Sequence, residues 1–223
     1  MSERCLLLYI TDRKAFAQDE PTRRRCVLEK IAEAARAGID YIQLREKDLS
    51  TTELTSLAHE AATLLEQLGT ENGERTTALL VNSRTDVALA SGADGVHLRS
   101  DDISATDVHT IWRTCALNRR EKVVIGISCH SSDDVKRAEA DGATFAVFAP
   151  VFEKKDAPGS PPAGLTELRE ACTSKIPVLA LGGVSIGNTK SCLDAGAAGI
   201  AAIRLFQDND MAHIVASLRE LVR

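Results

Sequence analysis

A closed (β/α)8 TIM barrel is the fold this sequence predicts, and three observations point to it. Short β-rich apolar runs alternate with helical stretches eight times along the chain. A glycine-centred motif recurs between helix and strand, with glycines at 38, 92, 142 and 196, so the spacings are 54, 50 and 54 residues. That is the recurrence of every second βα unit in an eightfold barrel. An open doubly wound sheet also alternates, but no G-x-G-x-x-G follows the first apolar run.

The strands are expected near Leu6–Ile10, Tyr41–Leu44, Ala78–Val81, Gly95–Leu98, Val123–Ser128, Phe145–Phe148, Val178–Leu181 and Gly199–Ile203. Between the first two, Val27, Leu28 and Ile31 followed by Ala32, Ala35 and Ile39 repeat at helical spacing. Leu54, Leu57, Ala61, Leu64, Leu65 and Leu68 form a second stripe, with Ser50-Thr51-Thr52-Glu53 as the capping box that starts it. Each recurring glycine, as in Ala37-Gly38-Ile39-Asp40 and Ser91-Gly92-Ala93-Asp94, is placed to end a helix in the left-handed conformation. The 223 residues allow about 28 for each βα pair, near the lower size limit of this barrel, so residues 1–223 are expected to form one domain. The Pro/Gly-rich stretch Ala157–Pro162 reads as the loop after strand six.

Composition narrows the function. A 44% hydrophobic, 26% charged chain is globular, and no window approaches the roughly 18 apolar residues of a membrane span. No secretory signal is visible at the start, so a cytoplasmic location is expected. A net charge of −5 argues against a nucleic-acid binder. The one dense basic cluster, Arg23-Arg24-Arg25, reads as a solvated helix face. Six cysteines show neither a C-x-x-C pair nor zinc spacing, and most of them read as buried thiols.

In such a barrel, chemistry belongs to the carboxyl ends of the strands and the loops after them. Gln43, Arg45 and Lys47 alternate with Leu44 and Glu46, which suits an anionic substrate better than a packed interior. Asn82, Ser83 and Arg84 follow strand three; His97, Arg99, Asp101 and Asp102 follow strand four. Asp102 suits a hard cation such as magnesium, while Asp101-Asp102 suits equally the first turn of the next helix. Strand five ends in Ser128-Cys129-His130-Ser131, where His130 is either a proton carrier or part of a helix cap. Cys129 points to the opposite face and is not expected to be a nucleophile. Gly182-Gly183 after strand seven lets backbone N–H groups approach a phosphate.

Together these segments resemble the thiamine phosphate synthase family, which includes the related thiazole tautomerases. The residues that carry the resemblance are Gln43-Leu44-Arg45-Glu46-Lys47, Val81-Asn82-Ser83-Arg84, Ala93–Leu98, Gly126–His130, Pro150-Val151-Phe152, Ala180–Val184 and Ala195–Ala201, in the family's order. The resemblance implies a transferase of thiamine biosynthesis that couples hydroxymethylpyrimidine diphosphate to hydroxyethylthiazole phosphate and releases diphosphate, with Mg2+ as cofactor. Gln43, Arg45, Lys47 and Asn82 would then hold the pyrimidine and diphosphate. Asp102 would bind the metal, Ser128 would assist at the diphosphate, and the Gly183 N–H would meet the thiazole phosphate. Its partners would be small phosphorylated molecules, with no nucleic acid and no membrane, and with homo-oligomerisation left open. Three positions depart from the family pattern. Ser83 stands where the synthase has aspartate, Glu153-Lys154-Lys155 replaces a threonine-rich loop with Lys155 as the candidate phosphate lysine, and Arg204 follows strand eight. These departures leave a thiazole tautomerase, with His130 as acid and base, or a non-catalytic regulatory relative as alternatives.

Overall fold

A computed structural model describes residues 4–16, 19–72, 77–115, 122–153 and 161–221. Eight parallel strands close in sequence order into a barrel. They are β1 (Leu6–Ile10), β2 (Tyr41–Leu44), β3 (Ala78–Asn82), β4 (Gly95–Leu98), β5 (Val124–Cys129), β6 (Phe145–Phe148), β7 (Val178–Ala180) and β8 (Gly199–Ala202). Closure pairs Leu6 with Gly199 through Tyr9 with Ala202. The principal helices are α1 (Glu20–Ala37), α2 (Thr51–Asn72), α3 (Thr85–Ser91), α4 (Ala105–Thr114), α5 (Ser132–Ala140), α6 (Gly164–Ala171), α7 (Ile186–Asp194), α8 (Arg204–Gln207) and α9 (Met211–Glu220). No helix among the described residues is long and apolar enough to cross a membrane.

The recurring glycine motif has two jobs. All four glycines sit at positive φ, from 77° to 103°, and turn the chain out of a helix. In three of the four, two residues later, a polar side chain satisfies the start of the preceding strand. Asp40 accepts from the Leu7 N–H at 2.8 Å and Asp94 from the Leu79 N–H at 2.7 Å. Thr144 Oγ1 accepts from the Ile125 N–H at 3.0 Å. The amino end of the barrel is thus stitched by the residues immediately before β2, β4 and β6. Arg219 from α9 joins Asp40 at 2.8 Å and fastens the last helix there.

Alternation along the strands sorts the apolar residues into layers. Leu8, Ile10, Leu80, Phe145, Val147, Leu179 and Ala201 fill the interior, where Tyr41 stacks on Phe145 with centroids 4.6 Å apart. The other faces, among them Leu7, Ile42, Leu79 and Ile125, pack outward under the helices. Cys129 lies in that outer layer against α5 and α6, and burial pushes its thiol up to about 12, so it is an inert core residue.

Caps set the helix starts. The Ser50 N–H donates to Glu53 at 2.9 Å and the Glu53 N–H to Ser50 Oγ at 3.3 Å, the expected box before α2. Of the two readings left open for Asp101-Asp102, the structure removes one. Asp101 and Asp102 do not charge the first turn of α4, because Ser104 and Asp107 form its capping box and delay the helix to Ala105. The two acids are left in the loop that follows β4. The Arg23–Arg25 cluster does lie on α1, where Arg24 pairs with Glu60 of α2 at 2.8 Å.

Candidate active site

Most of the polar strand-end residues meet at the carboxyl mouth of the barrel. Gln43 is buried and its Nε2 donates to Asn82 Oδ1 at 2.8 Å, joining β2 to β3. Asn82 Nδ2 in turn donates to Ser83 Oγ at 3.1 Å. Ser83 holds φ at +59°, an uncommon left-handed conformation for a side-chain-bearing residue, and its N–H donates to the His97 carbonyl at 2.9 Å. The turn out of β3 is therefore fixed from below by β4.

Arg45 and Lys47 lie just beyond the end of β2. The positive charge of Arg45, together with burial and Arg99, pulls the Lys47 pKa below its ordinary value. Three cations from two loops therefore crowd one region, which favours a polyanionic ligand. Between Arg45 and Lys47, Glu46 turns the other way into the protein. It accepts from Thr11 Oγ1 at 2.5 Å and from the Arg13 N–H at 3.1 Å. Burial pushes its carboxyl up, against the pull of Thr11 and Arg13.

Asp102 lies in the same mouth with its side chain only 12% exposed. It accepts from the Arg99 N–H at 2.7 Å, and Arg99 Nη2 is 3.3 Å from its other oxygen. Burial raises its pKa, but hydrogen bonds from Ser83 and Arg99 outweigh that and hold the carboxyl below its usual range. It is therefore ionised at neutral pH. Among the described residues no cluster of three histidines, cysteines or acids could cage a metal by itself.

Ser128, one residue before the end of β5, faces inward and is partly exposed. Its hydroxyl bonds to a histidine, but the partner is His97 of β4, at 2.9 Å from Nε2. His130 is placed differently. Its exposed ring donates from Nδ1 to the Ala149 carbonyl at 2.7 Å, and its N–H donates to Asp134 in the Ser131–Asp134 capping box. His97 was visible in the sequence as a strand-end residue but carried no assigned role. A histidine flanked by Val96 and Leu98 looks like core until its neighbour across the sheet is known.

Gly182 and Gly183 sit at φ +97° and +64°. A Cβ on Gly183 would stand 2.7 Å from the Glu153 carbonyl and from Phe152 Cβ, so this position keeps the β7 loop against the β6 loop. Lys154 and Lys155 lie outside the described residues. Arg204 opens α8 directly beyond β8. Beside Ser83 and Asp102, an open groove of about 550 Å³ runs between α3 and α4 past Leu89, Ile103 and Ile111.

A closed parallel barrel whose mouth gathers amides, hydroxyls and cations defines a (β/α)8-barrel enzyme of small phosphorylated substrates. The chain belongs to the thiamine monophosphate synthase family, whose profile matches residues 7–206. It is 34% identical over 204 residues to a thiamine-phosphate synthase of Roseiflexus castenholzii, covering 91% of this chain and 81% of that one. It is 32% identical over 224 residues to the thiamine-phosphate synthase of Coprothermobacter proteolyticus, covering 100% and 97%. The solved thiamine phosphate pyrophosphorylase from Pyrococcus furiosus superposes with a TM-score of 0.76 at 30% identity, covering 97% of this chain and 95% of that one.

Proposed function

We propose that this barrel is a thiamine-phosphate synthase, joining hydroxymethylpyrimidine diphosphate to hydroxyethylthiazole phosphate with release of diphosphate. The observation that carries the reading is the convergence of the Gln43–Asn82 amide pair with Arg45, Lys47 and Ser128 at one barrel mouth. The amides suit the donor and acceptor edge of a pyrimidine, and the cations suit a diphosphate.

The reaction breaks the bond between the pyrimidine methylene carbon and a diphosphate oxygen, and forms one from that carbon to the thiazole nitrogen. Arg45 and Lys47 stabilise charge that grows on the departing diphosphate. The Ser128 hydroxyl donates to the same group. The Gln43–Asn82 pair fixes the pyrimidine plane so that the developing cation faces the thiazole. Gly183 offers an N–H at the mouth for the thiazole phosphate, and Lys155 supplies a further cation from the loop after β6.

The donor set at Asp102 fits a Mg2+ ion that arrives with the diphosphate rather than one resident in the protein. One ionised carboxylate with a neighbouring hydroxyl is too few for a cage, and magnesium keeps water and phosphate oxygens as its other ligands. Asp102 would hold it, with Ser83 alongside, and the ion would neutralise diphosphate charge.

Purified protein given both substrates and Mg2+ should form thiamine phosphate and diphosphate in equal amounts. No product, together with no binding of magnesium diphosphate, would overturn the reading.

A further inference from the structure

We infer that His97 is a positioning residue: its Nε2–H donates to Ser128 Oγ and thereby forces the Ser128 hydroxyl proton to point out of the barrel wall into the substrate site. The inference rests on the synthase reading for its consequence, but not for its geometry.

The geometry is specific. His97 Nε2 and Ser128 Oγ are 2.9 Å apart, joining neighbouring strands β4 and β5. His97 Nδ1 is buried and has no hydrogen-bond partner among the described residues. It faces apolar ground: a Cβ on Gly126 would come within 2.7 Å of Nδ1 and 2.6 Å of the Phe145 ring edge. Phe145 itself lies with its centroid 6.3 Å from the imidazole. Burial, reinforced by the Arg45 charge, pushes the His97 pKa down to about 4, so the ring is neutral at neutral pH.

A neutral imidazole has one N–H and one bare nitrogen. A proton on Nδ1 would be an N–H buried against Gly126 and Phe145, the rarer and costlier kind of orphan. With the proton on Nε2, the orphan is only a lone pair, and the N–H is satisfied by Ser128. A serine oxygen that accepts from this side must use its own proton elsewhere. Ser128 lies on the inward face of β5 and is partly exposed, so its O–H becomes a fixed donor for an anionic oxygen of the substrate. A freely rotating hydroxyl would have to be oriented at each turnover; this one is oriented in advance.

Two measurements test the assignment. In the full-length 15N-histidine-labelled protein at neutral pH, two-bond 1H–15N correlations, assigned by their loss in His97→Gln, should show the His97 proton on Nε2. A proton on Nδ1 overturns the inference whether or not the protein is a synthase. In the synthase assay, His97→Ala should lose about 10²-fold in kcat, the scale of one directed donor. Ser128→Ala should lose a similar factor, and the double variant no more than either alone. His97→Gln, whose amide nitrogen reaches the Nε2 position, should recover most of the rate, while His97→Asn, whose amide ends near Nδ1, should not. Multiplicative losses in the double variant, or equal losses in Gln and Asn variants that are folded by circular dichroism, would also overturn it. An inactive wild-type chain with the proton on Nε2 would sink the synthase reading and leave the positioning geometry standing.

Discussion

Arg13 and Glu46 form a buried ion pair that fastens the loop after β1 to the loop after β2. The guanidinium Nε lies 3.7 Å from Glu46 Oε2, too far for a hydrogen bond, and both side chains are about 3% exposed or less. The rest of the guanidinium reaches Glu20 and Asp48, each at 2.8 Å. Glu46 stands between Arg45 and Lys47 in the chain, so holding it inward presents its two neighbours to the mouth.

Arg13→Ala removes the cation and strands the carboxylate. Breaking a buried pair from one side costs about 3–5 kcal/mol, so the urea midpoint should fall sharply. Glu46→Gln keeps an acceptor for Thr11 and should cost less. Equal midpoints for Arg13→Ala and the unaltered chain would remove the pair from the account of how the mouth is held.

Replacing the buried Gln43 by glutamate sets a negative charge where Asn82 now accepts a hydrogen bond. Two acceptors would face each other, beside a site that attracts polyanions. The affinity for inorganic diphosphate, measured by calorimetry, should weaken by roughly 10–100-fold, the scale of one lost charge-assisted contact. Arg45→Ala should weaken it similarly, with little change in melting temperature because Arg45 is only half-buried.

The metal reading at Asp102 makes an opposite pair of expectations. Asp102→Asn should weaken binding of preformed magnesium diphosphate, while Ser83→Asp should tighten it. A second carboxylate about 4 Å from a divalent ion contributes about 2 kcal/mol even with the dielectric of water, or more than tenfold. The Ser83 backbone favours the change, since aspartate tolerates positive φ better than most residues. Unchanged calorimetric affinity in both variants would separate these residues from the ion.

His97 gives the fold a pH dependence whose sign follows from its depressed pKa. The unfolded imidazole takes a proton near its ordinary value of 6.5, the folded one only near 4. Between those values the unfolded chain binds more protons, so this contribution is complete above 6.5 and is lost as the pH falls toward 4. Its size is on the order of 3 kcal/mol. Denaturant melts at pH 7 and pH 4.5 should show a smaller acid loss for His97→Gln than for the unaltered chain.

How much could be read in advance differs between wall and site. The strands were legible because inward and outward faces are both buried, leaving continuous apolar runs such as Phe145–Phe148 between turn signals. The glycine motif was legible as a period, but the hydrogen bond from Asp40 to Leu7 joins residues 33 apart and has no local signature. The same holds for Arg13 with Glu46 and for His97 with Ser128, pairs set by which strands become neighbours. Spacing left Asp101-Asp102 open between a metal ligand and the first turn of α4, and only the reciprocal Ser104–Asp107 cap, which starts the helix at Ala105, removes the second. Lys155 carries a proposed role from resemblance alone.

The closure of the wall by β1 and β8 also bears on how the chain assembles. Every other pairing joins strands adjacent in sequence, whereas Leu6 meets Gly199 across nearly the whole polypeptide. Loop-closure entropy is greatest for that contact, and pairings of such separation slow folding. On the ribosome, β1 can add β2 early, but its other edge stays bare until the last strand has been made. The outer edge of β1 is therefore the surface that most needs guarding against intermolecular strand pairing during synthesis.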